Sequence, residues 1–218
     1  MNAYALALIV FLLLPVSAAA QTLPATIPIF PLPDVVLFPG VARPLLIFEP
    51  RYRAMVADAL KGDRIIGMVL LRPGFEANYE GRPPIYPIGC AGRITQSQQL
   101  EDGRYVIELQ GFAKFRVTSE DQSRPYRLAR VEPVEDVAPT RETADLSALR
   151  LRLETLLNAS NPLDPDLLSL PDEIFVNTIA QNLEMGVAER QSLLEIPGAT
   201  RRAQALIERL EGSVAPRR

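Results

Sequence analysis

The chain has 218 residues, 48% of them apolar and 22% charged, with a net charge of −3: enough apolar material for a substantial core and too little charge for a disordered chain. It contains no histidine and a single cysteine, which removes Ser–His and Cys–His nucleophile pairs, an intrachain disulfide and a thiolate metal cluster. A pI near 5.2 argues against a dedicated nucleic-acid binder, which carries a basic face.

Residues 1–20 carry no charged side chain. The apolar run Ala3–Leu14 ends at Pro15 and is followed by Ser17-Ala18-Ala19-Ala20, the layout of a secretory signal peptide cut after Ala20. Periplasmic or secreted localisation follows from that reading, with no stable membrane span after cleavage. The alternatives are a cytoplasmic protein or an uncleaved anchor, but the apolar run is short for a hydrocarbon core of ~30 Å.

From Ile27 to Leu32 an extended apolar segment is interrupted by Pro28 and Pro31. Proline donates no backbone hydrogen bond, so this segment is expected at a sheet edge or across one. Pro39-Gly40 reads as a turn whose glycine takes positive φ, and Pro44–Phe48 as a short buried strand. Glu49 precedes Pro50, which is suited to the first position of a helix because its missing N–H has no partner there. Tyr52, Met55, Val56, Ala59 and Leu60 give that helix an apolar face. Residues 64–71 are apolar without alternation, as in a strand buried on both faces. The stretch 73–87 is rich in proline and glycine and carries Phe75, Tyr79 and Tyr86. It is either a binding loop or a surface insertion whose aromatics fold back onto the protein. Residues 88–96 and 104–110 should form a hairpin, with Asp102-Gly103 as a two-residue turn. Gly111 marks a bulge or bend. Phe115 and Val117 alternate with Lys114 and Arg116, and Tyr126–Val131 supplies a last strand.

The words FPLPDVVLFPG (30–40), LLIFEPRYRAMV (45–56) and GDRIIGMVLL (62–71), continued by 88–94, 100–104 and 111–117, resemble the Lon protease N-terminal, substrate-binding domain family. The resemblance covers essentially everything after residue 25. It implies an α+β fold: a small PUA-like β-barrel with one helix over residues 21–137, then a helical lobe packed on it over 138–218.

Beyond Pro139 the pattern is helical. Leu146, Leu149, Leu153, Leu156 and Leu157 share a face over 141–158, and Asn161-Pro162 ends that helix. Ser169 is the expected N-cap of a second helix bearing Phe175, Val176, Ile179 and Leu183, with Gly186 ending it. Val187–Ile196 and Ala199–Leu210 are shorter helices, and LLEIPG (193–198) resembles the tail of standalone Lon-like proteins. Pro216-Arg217-Arg218 is expected to fray. Asn158-Ala159-Ser160 matches a glycosylation sequon but overlaps a helix end.

No phosphate loop of the form Gly-x-x-x-x-Gly-Lys-[Ser/Thr] occurs. The two lysines, Lys61 and Lys114, have no serine–lysine peptidase context. Glu101-Asp102 and Asp172-Glu173 sit at a turn and a helix start, where acids serve local structure. Cys90 lies in an apolar stretch and reads as a buried structural thiol. No catalytic residue, metal ligand or cofactor is expected. The resemblance implies a non-enzymatic module that binds protein or unfolded polypeptide clients as an adaptor or holdase. Its candidate contacts are Phe38, Arg51, Phe75, Tyr79 and Tyr86. Arg51 has a second, structural reading in which it pairs with a nearby acid while Tyr52 fills the core. An uncharacterised hydrolase, or RNA binding through the barrel, is the alternative function.

Overall fold

The structure, a computed structural model, describes residues 23–75, 79, 81–136, 142–159 and 162–214. The leader-like residues 1–20, the C-terminal Pro216-Arg217-Arg218, Asn161 and the sequon's Ser160 lie outside the described residues.

Strand β1 (Thr26–Leu32) is interior and not an edge. It pairs in parallel with β3 (Ile65–Leu70) from Ile29 onward, and antiparallel with β6 (Arg127–Val134) up to Ile29. The Ala25 carbonyl accepts from Val131 and the Leu32 carbonyl from Leu71. Peptide groups alternate along a strand, so odd positions face β6 and even positions face β3. Pro28 therefore faces β3 below the start of that ladder, and Pro31 faces β6 beyond the end of the other. Each proline sits where the neighbour it would have to bond is no longer paired with it, so an interior strand tolerates both.

Strand β4 (Ile88–Gln99) joins β3 to β5 (Tyr105–Asp121), and β5 is long enough to serve two partners on its far edge. Residues 105–110 pair with β2 (Ala42–Ile47), and residues 114–121 pair with β6. Strands β1, β3, β4, β5 and β6 thus close into a barrel, with β2 as a flap beside it. Between the two halves of β5 the register slips, Gly111 facing Gly92 while Ala113 faces Ala91. This is the bulge expected at Gly111. The barrel interior is a small cluster drawn from all five ring strands, including Ile27, Ile29, Val69, Ala91, Phe115 and Val131. Phe115 fills it because Gly67 and Gly89 leave room: a Cβ on either would lie 2.7 or 2.8 Å from the Phe115 ring tip.

Helix α1 (Pro50–Lys61) starts after Glu49 with Pro50 at its first turn and buries Tyr52, Met55, Val56 and Ala59. Two short-range expectations need correction. Strand β2 alternates instead of being buried throughout: Leu46 is 48% exposed and Phe48, just beyond its end, 61% exposed. It is an edge strand paired only with β5, and its face bearing Ala42, Pro44 and Leu46 meets solvent. The β4–β5 turn has three residues instead of two. Gly103 donates to the Leu100 carbonyl, Leu100 donates to that of Arg104, and only Gly103 has positive φ (81°). Asp102 does not take positive φ, and its carboxylate accepts from the Arg104 amide at 3.0 Å.

The helices are α2 (Glu142–Asn158), α3 (Pro165–Leu168), α4 (Asp172–Asn182), α5 (Val187–Glu195) and α6 (Ala199–Val214). Ser169 closes the short α3 instead of capping α4, its hydroxyl donating to the Asp166 carbonyl at 2.7 Å. Gly186 opens α5 instead of ending α4, which stops at Asn182. The second, larger hydrophobic cluster runs without a break from the barrel's outer face through Tyr52 and Met68 to Leu153, Phe175, Ala203 and Leu206 in the helices. Among the described residues no helix is long and apolar enough to cross a membrane.

Candidate functional site

Helix α1 begins at the mouth of the 71–87 segment. From its first turn Arg51 donates through Nε to Glu49 at 2.9 Å and through Nη2 to the Tyr79 carbonyl at 3.3 Å. The Tyr79 hydroxyl closes the clasp, donating to the other oxygen of Glu49 at 2.8 Å. The Arg51 guanidinium lies 4.6 Å from the centre of the Tyr52 ring and 4.9 Å from that of Tyr79, within the range of favourable cation–π contact. Burial, reinforced by Glu49, holds the Tyr79 phenol well above its ordinary pKa, so it stays a proton donor to that carboxylate. Arg51 is thus paired with an acid while Tyr52 fills the core, as its structural reading expects, and it also holds the loop aromatic.

Beside this clasp lies a groove of about 630 Å³. Its walls come from Phe48 after β2, Leu70 and Leu71 at the end of β3, Phe75, Tyr79 and Tyr86 of the loop, and Val187 at the start of α5. Tyr86 is held by its amide, which donates to the Leu70 carbonyl at 2.8 Å, and by Arg72 over its ring at 5.2 Å. Phe75 remains 43% exposed. Tyr79 and Tyr86 fold back onto the protein, as the second of the two readings of this stretch expects, and they form part of the groove wall. Phe48 was not singled out because 45–48 is an unbroken apolar run with no alternation to mark which side chains face outward.

Phe38 is not part of this surface. It is fully buried where barrel and helices meet, its amide donating to Gln181 Oε1 at 3.0 Å and its ring 5.6 Å from the Arg202 guanidinium. It is withdrawn as a contact residue, because the turn that follows it is covered by α4: Asn177 Nδ2 donates to the Pro39 carbonyl at 2.9 Å. The same junction holds an ionic cluster. Asp136 accepts from Lys114 Nζ at 3.0 Å, Arg202 Nη2 at 3.0 Å and the Gly198 amide at 2.7 Å. Burial opposes the Asp136 charge, but Arg202, Gly198 and Lys114 outweigh it and lower its pKa. The matching desolvation lowers that of Lys114. Lys114 and Phe115 alternate across the barrel wall, and both are buried, one under the helices and the other in the barrel.

Every hydrogen-bonding group named in this cluster is matched by a partner, which makes it a structural joint. Cys90 is fully buried and its thiol is pushed up to about 12 by that burial. Among the described residues no group of three or more Cys, Asp or Glu side chains is placed to hold a metal ion.

A family model described as the ATP-dependent protease La (LON) substrate-binding domain matches residues 26–212. The chain belongs to that family. Among full-length relatives, Lon protease 2 of Myxococcus xanthus is 30% identical over 199 residues, covering 87% of this chain and 24% of that protein. Lon protease of Anaeromyxobacter dehalogenans (strain 2CP-C) is 29% identical over 205 residues, covering 90% of this chain and 24% of that protein. The chain thus spans about a quarter of the length of the Lon proteases it matches. A Lon N-terminal domain protein from Xanthomonas campestris shares the fold with a TM-score of 0.59 and 24% identity, over 84% of this chain and 97% of that one. The N-terminal domain of Mycobacterium avium complex Lon protease aligns with a TM-score of 0.61 and 17% identity, over 85% and 98%. The Lon substrate-binding fold accounts for the α+β architecture found here, a barrel followed by helices.

Proposed function

We propose that the chain is a non-enzymatic module that binds polypeptide, and that the groove between Phe48, Phe75, Tyr86 and Val187 is where the client lies. The observation that carries this reading is the pair of exposed phenylalanines, 61% and 43% accessible, flanking a groove whose other walls are mostly aliphatic and aromatic, with Glu49 and Arg72 the charged residues among them. Apolar anchors of this kind supply affinity when a partner covers them. Membership of a family of substrate-binding domains supports the same reading.

In this reading a client is held or handed on, as an adaptor or holdase would do. Residues 1–20 favour clients outside the cytoplasm. A native protein whose first residue is Gln21 by mass spectrometry supports export; an intact Met1 contradicts it.

The binding test is fluorescence anisotropy with a labelled, permanently unfolded polypeptide and with its folded counterpart. Saturable binding of the unfolded form, weakened about tenfold or more by Phe48→Ser with Phe75→Ser, supports the proposal. Equal binding by parent and double variant overturns the groove assignment.

A further inference from the structure

Behind the groove, and sharing Leu71, Tyr79 and Pro83 with it, lies a second cavity of about 260 Å³. Arg51, Arg82 and Arg127 all line it, together with Tyr52, Tyr79 and Tyr126. Among its described lining residues there is no carboxylate. The acids that pair with two of these arginines belong elsewhere: Glu49, on Arg51, lines the groove, and Glu120 approaches Arg127 at 3.3 Å from β5. Arg127 is nearly buried and anchored by donation to the Pro83 carbonyl at 2.8 Å. Burial lowers its pKa, and Arg82 and Arg51 push in the same direction against Glu120, so the positive fields of all three meet there. Arg82 is braced from outside by donation to the Asp121 carbonyl at 3.4 Å.

Three guanidinium groups around one partly enclosed space repel one another, and an anion among them relieves that repulsion while accepting forked, charge-assisted hydrogen bonds. The cavity is too small for a folded partner but holds one residue and its terminal carboxylate. Leu71, Tyr79 and Pro83 line both spaces, so the two adjoin, and a chain whose end enters the cavity can leave its preceding residues in the groove.

We propose that this cavity is an anion subsite that takes the free C-terminal carboxylate of a bound polypeptide, whose preceding apolar side chains occupy the groove. The inference rests on the groove reading above and gives the module a preference for chain ends with apolar C-terminal residues.

The test uses the full chain and two labelled peptides of one apolar sequence, one ending in a free carboxylate and the other in an amide. The carboxylate peptide is expected to bind about tenfold more tightly. Arg82→Gln, a change at a partly exposed residue, is expected to erase that difference while leaving the amide peptide's affinity unchanged. Equal affinity of the two peptides for the parent overturns the subsite and leaves the groove reading standing. Binding of neither peptide overturns the groove reading and the subsite with it. Inorganic phosphate is the remaining probe: if it raises the unfolding temperature in an Arg82-dependent way while the peptides bind alike, the cavity takes a phosphate and the proposal fails.

Discussion

Arg202 of α6 donates to Asp136 at 3.0 Å, with the arginine side chain wholly buried and the carboxylate 14% exposed. This contact ties the end of the last barrel strand to the last helix, and Lys114 on the barrel wall shares the same carboxylate. Buried ion pairs contribute little net stability over apolar substitutes, but removing one partner strands the others. Asp136→Asn would leave two buried cations facing an amide. It should cost about 3–5 kcal/mol, read from urea unfolding at neutral pH.

The acid side of the stability profile follows from the same residue. The folded-state pKa of Asp136 lies below its ordinary value of 3.8. A depressed carboxylate contributes stability that is fully present above the unfolded value and is lost as pH falls through the folded one. The stability gap between parent and Asp136→Asn should hold steady above about pH 5 and narrow below about pH 4. A gap independent of pH down to acid unfolding would show that the carboxylate is not ionised in the joint.

Gly111 has no room for a side chain. A Cβ there would lie 2.2 Å from the Phe38 carbonyl oxygen. The backbone is pinned on both sides, Gly40 donating to the Gly111 carbonyl at 2.8 Å and Gly111 to that of Val41 at 3.0 Å. Gly111→Ala should cost about 3 kcal/mol, the upper part of the range for overpacking. Differential scanning calorimetry measures it, and an unchanged transition would contradict the close approach.

Tyr52 is 3% exposed, its ring centre 4.4 Å from that of Phe30. Tyr52→Ala should destabilise by about 3 kcal/mol. A variant that unfolds with the parent would place Tyr52 outside the core.

The Cys90 thiol, pushed up to about 12 by burial, is protonated at neutral pH and shielded from reagents. A thiol-reactive dye should label it only after denaturant unfolds the protein. Rapid labelling of the native protein would contradict its burial.

The local signals visible in the sequence were those set by neighbouring residues. Glu49-Pro50 marks the start of α1, Pro39-Gly40 makes a turn whose Gly40 has φ 76°, and unbroken apolarity marks β3 as buried on both faces. Other features depend on residues far apart in the chain. The prolines of β1 imply an edge until the lengths of β3 and β6 beside it are known. Arg202 is buried beside Ala203 and Leu206 on α6, and nothing in the sequence singled it out. Its meaning came only with Asp136, 66 residues away. The three aromatics of the 73–87 loop were legible as a group, whereas the arginine cavity behind them is assembled from α1, that loop and β6 and has no local pattern.

The central claim, that polypeptide clients lie in the groove beside the Arg51–Glu49–Tyr79 clasp, is tested most directly by hydrogen–deuterium exchange with and without a saturating unfolded polypeptide. Slowed exchange should appear at Phe48-Glu49, at Leu70–Phe75, at Pro83–Tyr86 and at the start of α5. Protection confined to other surfaces, or none at saturation, would contradict it.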